Sequence, residues 1–478
     1  MSLRSALAVA PDWAEVSPGQ SSGAPPNAAP YWDRTRETAS PAVRDALILQ
    51  RLRHMLTYVY DRPPFYRRLY DKHGLTRQSL AGLSSFDEFT QRIPIITKAM
   101  LLEAQRREPP LGDYLAVERN RIQRLQGTSG TTRQPTLLAF TAEDWRHVAE
   151  AQAMQMWGAG LRPSDIVQIA FPLGLYVGGW GLLSAAEYLG ATVLPLAGAS
   201  SRRQLAFMRQ TRSTVLCATP SYALRLIEVA RAAGFDPAQS SWRLIFLGGE
   251  PGAAIPAVRG RIESELGVRA VDFGNVAELH PCSNMECSEG CGMHVYQDVV
   301  YTEIVDPEQP SVRRPPDHTG ALVYTHLWRQ AQPMIRYFSG DLSVMTDAPC
   351  RCGRTYPRLP RGVIGRIDDQ INLRGVKFFP SDVEHVVRAV PGAGTEFQMR
   401  RIDTGGAPEL EVRVEAAAAV EPARYATLQT ELVDALQDDL AVRLAVSVVP
   451  PQTLPRGAFK AQRLVRTSPP PVHRSAIR

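Results

Sequence analysis

The sequence predicts an α/β protein: a large N-terminal domain of layered sheets and helices, followed by a small α+β domain. The chain has 478 residues, too many for one hydrophobic core, which predicts two or more domains. Between residues 140 and 255, short β-rich runs alternate with helix-like stretches, as in an α/β layered domain. After Gly365 a different pattern begins, which predicts a separate α+β module.

The individual elements follow from local periodicity. Apolar residues recur at intervals of three and four from about residue 40 to 60, which predicts an amphipathic helix. The β-rich runs of the α/β domain lie at 166–171, 192–194 and 244–247. In the C-terminal module we expect helices at about 381–390 and 423–441, and strands near 396–402, 410–416 and 443–450.

Composition and charge narrow the class of protein. Hydrophobic residues make up 44% of the chain and charged residues 21%, which is typical of a soluble globular protein. The net charge is +6, but no run of five like charges occurs, so we expect no nucleic-acid partner. A modest positive charge suits anionic small molecules such as nucleotides and coenzyme A (CoA).

The sequence predicts a cytoplasmic protein without a membrane partner. No apolar stretch is long enough to cross a bilayer, and the apolar run at residues 5–10 is too short for a signal peptide. The six cysteines should therefore be reduced, and a cluster of them points to metal binding or catalysis rather than disulfides.

A loop at residues 127–136 combines glycine with hydroxyl side chains, and its centre is Ser129, Gly130, Thr131 and Thr132. Glycine lets backbone N–H groups converge on one point, and hydroxyls add donors there, so such a loop can hold phosphate oxygens. The loop lacks the Gly-Lys-Ser/Thr ending of a Walker sequence. An ordinary surface loop is the alternative.

Five cysteines and one histidine fall into two groups that suggest a zinc site. The groups are Cys282, Cys287, Cys291 and His294, followed by Cys350 and Cys352. Thiolates and imidazole are the ligands of structural zinc, which takes four protein ligands. We predict the set Cys287, His294, Cys350 and Cys352, with Cys282 and Cys291 as competitors for one position. A group of reduced, buried cysteines is the alternative.

Four further segments along the chain carry carboxylates, arginines and a lysine. They are Phe273-Gly274-Asn275-Val276-Ala277-Glu278, Arg336-Tyr337-Phe338-Ser339-Gly340-Asp341, Gly365-Arg366-Ile367-Asp368-Asp369, and Leu454-Pro455-Arg456-Gly457-Ala458-Phe459-Lys460. Together with the hydroxyl-rich loop they resemble the adenylate-forming superfamily, and within it the phenylacetate–CoA ligases and related aryl-CoA ligases. Gly249-Glu250-Pro251 and the cysteine–histidine cluster also fit that branch, many of whose members hold structural zinc.

The resemblance runs from about residue 31 to 467 and implies a domain division. Residues 1–30 would be a disordered tail, 31–366 the domain that binds ATP and the acid, 367–467 a mobile C-terminal lid domain, and 468–478 a second tail. The C-terminal domain would rotate about Asp368, which would be the hinge.

The resemblance also implies a role for each matching residue. Ser129, Gly130, Thr131 and Thr132 would hold the β- and γ-phosphates of ATP, Phe273 and Gly274 would contact the adenine, and Gly249, Glu250 and Pro251 would form the other adenine wall. Glu278 would bind Mg²⁺. Asp341 would accept both ribose hydroxyls, with Arg366 beside the same sugar. Lys460 would stabilise the charge that develops during attack on the α-phosphate.

The implied reaction joins a carboxylic acid to CoA through an acyl-AMP, with ATP consumed and AMP and pyrophosphate released. Tyr176, Gly178, Gly179 and Trp180 suggest the wall of a pocket for an aromatic acid, or else ordinary core aromatics. Transfer to a carrier-protein thiol or an amine is one rival, and activation of another oxyanion such as nitrite is a second. A zinc-stabilised nucleic-acid-binding protein is a distant third. The sequence leaves a homodimer open.

Overall fold

A computed structural model of the chain describes residues 24–128, 135–274, 276–402, 409–456 and 463–467. These residues form two compact units. The first contains the described residues up to Ala218, together with Ser241–Leu247 and Val271–Val363. The second contains Thr219–Ser240, Gly248–Ala270 and the described residues from Ile364 onward. Two stretches from the middle of the chain therefore group with the C-terminal module.

Helices make up much of both units. The described residues form thirteen α-helices: α1 (Arg34–Glu37), α2 (Pro41–Asp61), α3 (Pro64–Lys72), α4 (Arg77–Ala81), α5 (Phe86–Arg92), α6 (Lys98–Arg107), α7 (Ala142–Gly158), α8 (Val177–Leu189), α9 (Ser201–Thr211), α10 (Pro220–Ala232), α11 (Pro256–Leu266), α12 (Pro380–Ala389) and α13 (Tyr425–Leu440). The predicted amphipathic helix is confirmed as α2. Its first turn is capped by the Ser40 hydroxyl, which accepts a hydrogen bond from the Val43 N–H.

The strands of the first unit include those predicted for the α/β domain. They are β1 (Ile122–Gly127), β2 (Leu137–Thr141), β3 (Ile166–Ile169), β4 (Thr192–Pro195), β5 (Val215–Ala218), β6 (Leu244–Leu247), β7 (Arg269–Gly274), β8 (Asn284–Glu286), β9 (Met293–Val295), β10 (Val300–Val305), β11 (Thr319–His326), β12 (Tyr337–Val344) and β13 (Arg358–Leu359). The predicted strands at 166–171, 192–194 and 244–247 are confirmed as β3, β4 and β6, although β3 ends two residues early.

An eight-stranded sheet forms the centre of the α/β fold, in the order β13-β9-β8-β7-β6-β5-β3-β4. Strand β3 pairs in parallel with β4 and β5, and β5 pairs in parallel with β6. Strands β7, β8, β9 and β13 pair antiparallel in succession. Strand β7 ends at Phe273 and Gly274, so the parallel and antiparallel halves meet where the predicted adenine contact begins.

Two further antiparallel groups complete the first unit. Strands β10, β11 and β12 form a meander, and β12 carries Asp341. Strands β1 and β2 form a hairpin whose Gly127–Leu137 pair closes the ends of the predicted phosphate loop. Asp341 therefore lies on a regular strand, which positions a side chain more narrowly than a long loop does.

The second unit contains the predicted α+β module. Its strands are β14 (Gly365–Arg366), β15 (Ile371–Leu373), β16 (Val376–Phe378), β17 (Ala393–Ile402), β18 (Glu409–Ala416), β19 (Ala445–Val449) and β20 (Leu464–Thr467). Four of them form a mixed sheet in the order β19-β18-β17-β20. The predicted helices at 381–390 and 423–441 are confirmed as α12 and α13. Buried leucines on α13 pack into the same hydrophobic cluster as Val412 and Val414 of β18.

The structure differs from the sequence prediction at residues 24–30, for which we expected a disordered tail. The indole Nε1 of Trp157 donates to the Ala29 carbonyl at 2.9 Å, and Arg354 Nη2 donates to the Pro30 carbonyl at 2.9 Å. These bonds use backbone carbonyls, which every residue carries, so a composition rich in proline and alanine does not reveal them. None of the helices in the described part of the chain is long and apolar enough to cross a bilayer.

Candidate functional site

The ends of the predicted phosphate loop are held together beside the predicted pocket wall. The Thr128 N–H donates to the Thr136 carbonyl at 3.1 Å, and the Thr136 N–H donates to the Thr128 hydroxyl at 3.2 Å. The Gly127 N–H donates to the carbonyl of Leu175, the residue before Tyr176. Residues Ser129, Gly130, Thr131 and Thr132 lie outside the described residues, so their role stays a prediction.

Three aromatic rings connect the pocket wall to the predicted adenine contact. The ring centroid of Phe171 lies 5.9 Å from that of Tyr176 and 6.0 Å from that of Phe273. Tyr176 immediately precedes α8, and Phe273 is buried near the end of β7. Ring spacings of this size are typical of interacting aromatic pairs. The three rings form one continuous apolar surface within the first unit.

Gly178 and Gly179 let α8 pack closely on neighbouring protein groups. A Cβ atom on Gly179 would lie 2.6 Å from the carbonyl oxygen of Pro172, and one on Gly178 would lie 2.6 Å from the Tyr176 hydroxyl. The first contact is with backbone and cannot be relieved by a side-chain rotation. We expected these glycines to belong to the wall of a pocket for an aromatic acid, and close packing accounts for Gly179 without a ligand.

The remaining predicted pocket residue, Trp180, stacks on an arginine that the sequence did not single out. The guanidinium of Arg124 lies 4.9 Å from the ring centroid of Trp180 and 4.2 Å from that of Trp145. The Trp180 Nε1 donates to the Gly174 carbonyl at 3.0 Å. A cation between two indoles is held in a fixed orientation. Arg124 is thus a positive charge beside a residue of the predicted pocket.

Glu278, the predicted magnesium ligand, is buried and faces a lysine. Its side chain is 4% exposed, and Lys98 Nζ lies 3.1 Å from its Oε1. A carboxylate removed from water needs a counter-charge or hydrogen-bond donors, and Lys98 supplies the charge. The sequence analysis missed Lys98, because a single lysine at the start of a helix is normally a solvated residue.

A buried arginine positions the segment that carries Lys98. Arg336 Nε donates to Glu303 at 3.1 Å, and both side chains are almost fully buried. Arg336 Nη1 donates to the Ile93 carbonyl at 2.7 Å. Backbone bonds continue the contact: the Ile96 N–H donates to the Arg336 carbonyl, and the Phe338 N–H donates to the Ile96 carbonyl. The segment before Lys98 is therefore fixed to the start of β12.

Asp341 lies on β12, five residues after Arg336. Its side chain is 9% exposed, and its backbone N–H donates to the Ser339 hydroxyl at 3.1 Å. Burial and the negative charge of Asp341 together raise the pKa of Tyr324 well above its usual value. The Asp341 carboxylate therefore lies near the Tyr324 phenol on β11. Arg336 thus links the strand of Asp341 to the segment of Lys98.

The other predicted nucleotide residues belong to the second unit. Glu250 of the Gly249-Glu250-Pro251 turn accepts a hydrogen bond at 2.8 Å from the Ser221 N–H in the first turn of α10. Arg366 Nη2 lies 3.4 Å from the Asp368 carboxylate, and both side chains are exposed. Lys460 lies outside the described residues. The roles of these residues stay predictions.

The structure brings together the four residues predicted as zinc ligands. The ligand atoms of Cys287, His294, Cys350 and Cys352 all lie within 4.8 Å of one another. The two competitors lie elsewhere: the Cys282 thiol donates to the Asn284 carbonyl at 3.2 Å, and the Cys291 thiol donates to the Glu289 carbonyl at 3.3 Å. Three soft sulfur donors and one imidazole at this spacing suit zinc.

Two tight turns present sulfur atoms of the cluster to backbone N–H groups. The Glu289 N–H donates to Cys287 Sγ at 3.4 Å, and the Arg354 N–H donates to Cys352 Sγ at 3.4 Å. A hydrogen bond from Cys287 and a further one from His294 lower the pKa of the Cys352 thiol. The cluster therefore favours a thiolate at Cys352, the form in which cysteine binds metal.

The cluster also lies under the N-terminal segment. Arg354 Nε donates to Glu37 at 2.6 Å in a buried ion pair, and the Tyr31 hydroxyl donates to the Cys352 carbonyl at 2.9 Å. The turn after Cys352 contains Gly353 at φ +80°, where a Cβ atom would also lie 2.4 Å from the Tyr31 hydroxyl. The turn at Cys352 and Arg354 therefore also holds residues 30–37 in place.

Comparison with known proteins identifies relatives over most of the chain. Residues 375–467 match the family model described as AMP-binding enzyme C-terminal domain. The phenylacetate-coenzyme A ligase of Thermus thermophilus is 35% identical over 431 residues, covering 86% of this chain and 93% of the relative. The phenylacetate-coenzyme A ligase of Aromatoleum evansii is 31% identical over 440 residues, covering 91% and 96%.

Solved structures show the same fold. A 2-hydroxyisobutyryl-CoA ligase in the postadenylation state with 2-HIB-AMP is 38% identical, with a TM-score of 0.88 over 93% of this chain and 94% of that one. The same ligase with 2-HIB-AMP and CoA in the thioesterification state gives a TM-score of 0.71 over 92% and 93%. An anthranilate CoA ligase with anthranoyl-AMP is 18% identical with a TM-score of 0.55, covering 73% and 67%.

Replacing Lys98 by methionine should destabilise the fold through Glu278. The buried carboxylate would lose its nearest cation, and we expect the free energy of unfolding to fall by about 1–2 kcal/mol. Adding Glu278→Gln should recover most of this loss, because a neutral amide is easier to bury. Denaturant unfolding of both single variants and of the double variant measures the coupling free energy between Lys98 and Glu278. Exposed Lys72→Met is the control, expected within about 0.5 kcal/mol of the parent. Strictly additive losses would contradict the pairing.

Proposed function

Because the chain belongs to the family of the phenylacetate–coenzyme A ligases, we propose that it activates an aromatic carboxylic acid with ATP and transfers the acyl group to CoA. It is an AMP-forming acid–CoA ligase, and it releases AMP and pyrophosphate. The observation that carries the site assignment is the buried Glu278, five residues after Phe273 and paired with Lys98. ATP, CoA and reduced cysteines all fit the cytoplasm as its place of action.

The nucleotide contacts divide between adenine, ribose and phosphates. Phe273 supplies an aromatic face for the adenine, and Asp341 supplies two carboxylate oxygens for the ribose hydroxyls. For the second unit, the resemblance assigns Gly249, Glu250 and Pro251 to adenine binding and Arg366 to the ribose. The loop at Ser129, Gly130, Thr131 and Thr132 holds the β- and γ-phosphates, and its closed stem at Thr128 and Thr136 supports this assignment.

Glu278 fits a magnesium ligand because it is a buried carboxylate oxygen donor at the predicted position. Mg²⁺ bound there supplies positive charge that offsets the phosphates. In the protein without nucleotide, Lys98 balances the Glu278 charge, and its ammonium is a second cation for phosphate oxygens. Backbone hydrogen bonds between Ile96 and the Arg336–Phe338 segment hold the chain just before Lys98, which supports this role for the lysine.

The reaction proceeds in two halves. The carboxylate of the acid attacks the α-phosphorus of ATP, pyrophosphate leaves, and Lys460 stabilises the negative charge that develops in this step. The CoA thiolate then attacks the acyl carbon of the acyl-AMP, and AMP leaves with the bonding electrons. Movement of the C-terminal domain about Asp368 separates the two halves. Transfer to a carrier protein or an amine would change only the second nucleophile.

An aromatic acid is the substrate class that the site supports best. A continuous aromatic surface is formed by Phe171, Tyr176 and Phe273. Trp180 lies on α8, about one helical turn after Tyr176. A second candidate is a small 2-hydroxy acid, because the 2-hydroxyisobutyryl-CoA ligase is 38% identical over nearly the whole chain. Hydroxyl recognition would require a polar partner in the pocket, whereas an aryl ring requires only apolar faces.

Rates over a panel of acids distinguish these substrates. We expect benzoate- and arylacetate-type acids, including amino- and hydroxy-substituted ones, to have higher kcat/KM than 2-hydroxyisobutyrate, fatty acids or dicarboxylates. For aryl acids that differ by one methylene, the activation free energy behind kcat/KM should differ by about 1–3 kcal/mol or less, so several of these acids should react. Pyrophosphate release with and without CoA measures this. A 2-hydroxy acid that exceeded every aryl acid would overturn the aromatic assignment and leave the ligase assignment intact.

Lys460→Ala separates the two half-reactions. Lys460 acts on charge that develops only during acyl-AMP formation, so we expect that step to slow by about 10²-fold or more. Formation of acyl-CoA from supplied acyl-AMP should remain within about threefold of the parent, because that step does not require the lysine's charge. Lys460→Arg is the comparison, since it keeps a charge but changes its shape. Equal damage to both steps would rule out the assigned role.

The cysteine–histidine cluster holds one structural Zn²⁺ per chain in this proposal. Four ligands would come from Cys287, His294, Cys350 and Cys352, which is the number a structural zinc takes, so no position would be left for chemistry. Zinc binding there stabilises the folded chain and fixes the turn that meets Tyr31 and Glu37. The residues proposed to carry out the reaction lie outside this cluster.

Cys352→Ser should therefore lower stability more than activity. We expect loss of zinc, a lower Tm, and a specific activity per folded molecule within about twofold of the parent, because the metal contributes to folding. Cys291→Ser is the matched control, since that thiol lies outside the cluster, and it should keep both zinc and Tm. Metal analysis by mass spectrometry and calorimetry measure these outcomes. Protein purified without chelator that contained no zinc would contradict the proposal.

A further inference from the structure

A glutamine of α7 is buried beside the predicted acid pocket, and its side-chain amide has no protein partner among the described residues. Gln152 is 0% exposed, and both its Nε2 and its Oε1 lack a hydrogen bond to any residue that the structure describes. Buried polar side chains are almost always hydrogen-bonded, because a buried amide without a partner has lost its bonds to water. The Gln152 amide would therefore gain stability from a ligand that forms hydrogen bonds.

The Gln152 amide faces a glycine of α8. A Cβ atom on Gly181 would lie 2.6 Å from Gln152 Oε1, and it would also overlap the side chain of Pro281. Gly181 follows Gly178 by three residues in the helix, so the two glycines lie on neighbouring turns of one face. A Cβ atom on Gly178 would meet the Tyr176 hydroxyl. This face of α8 therefore has the Tyr176 hydroxyl at one turn and the Gln152 amide at the next.

The same position borders two parts of the proposed reaction site. Tyr176 belongs to the continuous aromatic surface that supports an aryl substrate. Pro281, the other neighbour of Gly181, follows the proposed magnesium ligand Glu278 by three residues. All these residues belong to the first unit. The amide thus lies about one helical turn from the aromatic surface and close to the segment of Glu278.

The chemistry of a carboxamide limits which group it can recognise. Its Nε2 donates and its Oε1 accepts hydrogen bonds, so it can pair with a hydroxyl or an amino group in either sense. It carries no charge and cannot balance a second carboxylate, which would have to be buried beside it. A neutral polar substituent is therefore the group that suits this position.

We propose that Gln152 is a specificity-determining residue that forms a hydrogen bond with a hydroxyl or amino substituent on the ring of the aromatic acid. This inference rests on the proposed activity as an aryl-acid–CoA ligase. A substituted ring pairs the buried amide, whereas an unsubstituted ring leaves it unpaired, and this difference is the source of selectivity. The preferred substrates are hydroxy- or amino-substituted aryl acids, with the unsubstituted acids second.

The test measures kcat/KM for hydroxy- and amino-substituted benzoates and arylacetates and for the unsubstituted acids. In the parent protein the best substituted acid should exceed its unsubstituted counterpart by about tenfold or more. Gln152→Met keeps the length of the side chain but removes the amide, so this ratio should fall to about twofold or less. The unsubstituted acid itself should lose no more than about threefold. Gln152→Asn keeps the amide on a side chain that is one carbon shorter, and its ratio should be intermediate.

Thermal unfolding without substrate provides a second readout. Gln152→Met should have a Tm at or above that of the parent, because it removes a buried amide that has no partner among the described residues. A glutamine with a purely structural role would instead lower Tm and slow all acids alike. Arg146→Met is the control on the exposed side of the same helix, where Arg146 pairs with Glu150 at 3.4 Å. It should change neither the ratio nor Tm.

The ratio between substituted and unsubstituted acids decides the inference, since a loss of folded protein affects both acids equally. An unchanged ratio in Gln152→Met, or a loss confined to 2-hydroxyisobutyrate, would overturn it. So would a parent protein that prefers the unsubstituted acids, although the aryl-acid assignment would then stand. If Gln152→Met does not fold, the ratio of Gln152→Asn decides in the same way. If the parent releases pyrophosphate with no aryl acid, the proposed function itself fails and this inference fails with it.

Discussion

The buried ion pair between Arg336 and Glu303 connects two segments that carry residues of the proposed site in the first unit. Arg336 uses its side chain to bind Glu303 and the Ile93 carbonyl, and its backbone to bind Ile96. Removing either charged partner would leave the other buried without compensation, a large cost in a low-dielectric interior. The same residue immediately precedes β12, the strand of Asp341, and holds the segment before Lys98. The strand of the residue proposed to bind the ribose and the segment of the lysine opposite Glu278 therefore depend on one interaction.

The sequence predicted the fold class and the family, and both are confirmed. Regular periodicity made α2, β6 and α12 predictable within one or two residues, because apolar spacing directly reflects which face is buried. The fold brings together the four residues that the sequence predicted as zinc ligands, and their role as ligands stays a prediction. Cys282 and Cys291 could not be assigned from spacing. Only the fold shows that their thiols point to backbone carbonyls instead.

Other features depend on tertiary contacts that carry no local signal. Lys98 lies 180 residues from Glu278 in sequence. Arg124 is one of many arginines until its position between Trp145 and Trp180 is known. The attachment of residues 24–30 uses backbone carbonyls, and Gly179 is required by a backbone neighbour at Pro172. In each case the partner is distant in sequence or is a group common to all residues.

We propose that Glu278 binds the metal that accompanies ATP, with Lys98 beside it. The most direct measurement is a crystal structure with ATP and Mn²⁺ in place of Mg²⁺, in which anomalous scattering locates the metal. We expect an anomalous peak about 2–2.5 Å from a Glu278 carboxylate oxygen, with the Lys98 ammonium within hydrogen-bond distance of a phosphate oxygen. A metal peak out of reach of Glu278, with Lys98 still bound to that carboxylate, would contradict it.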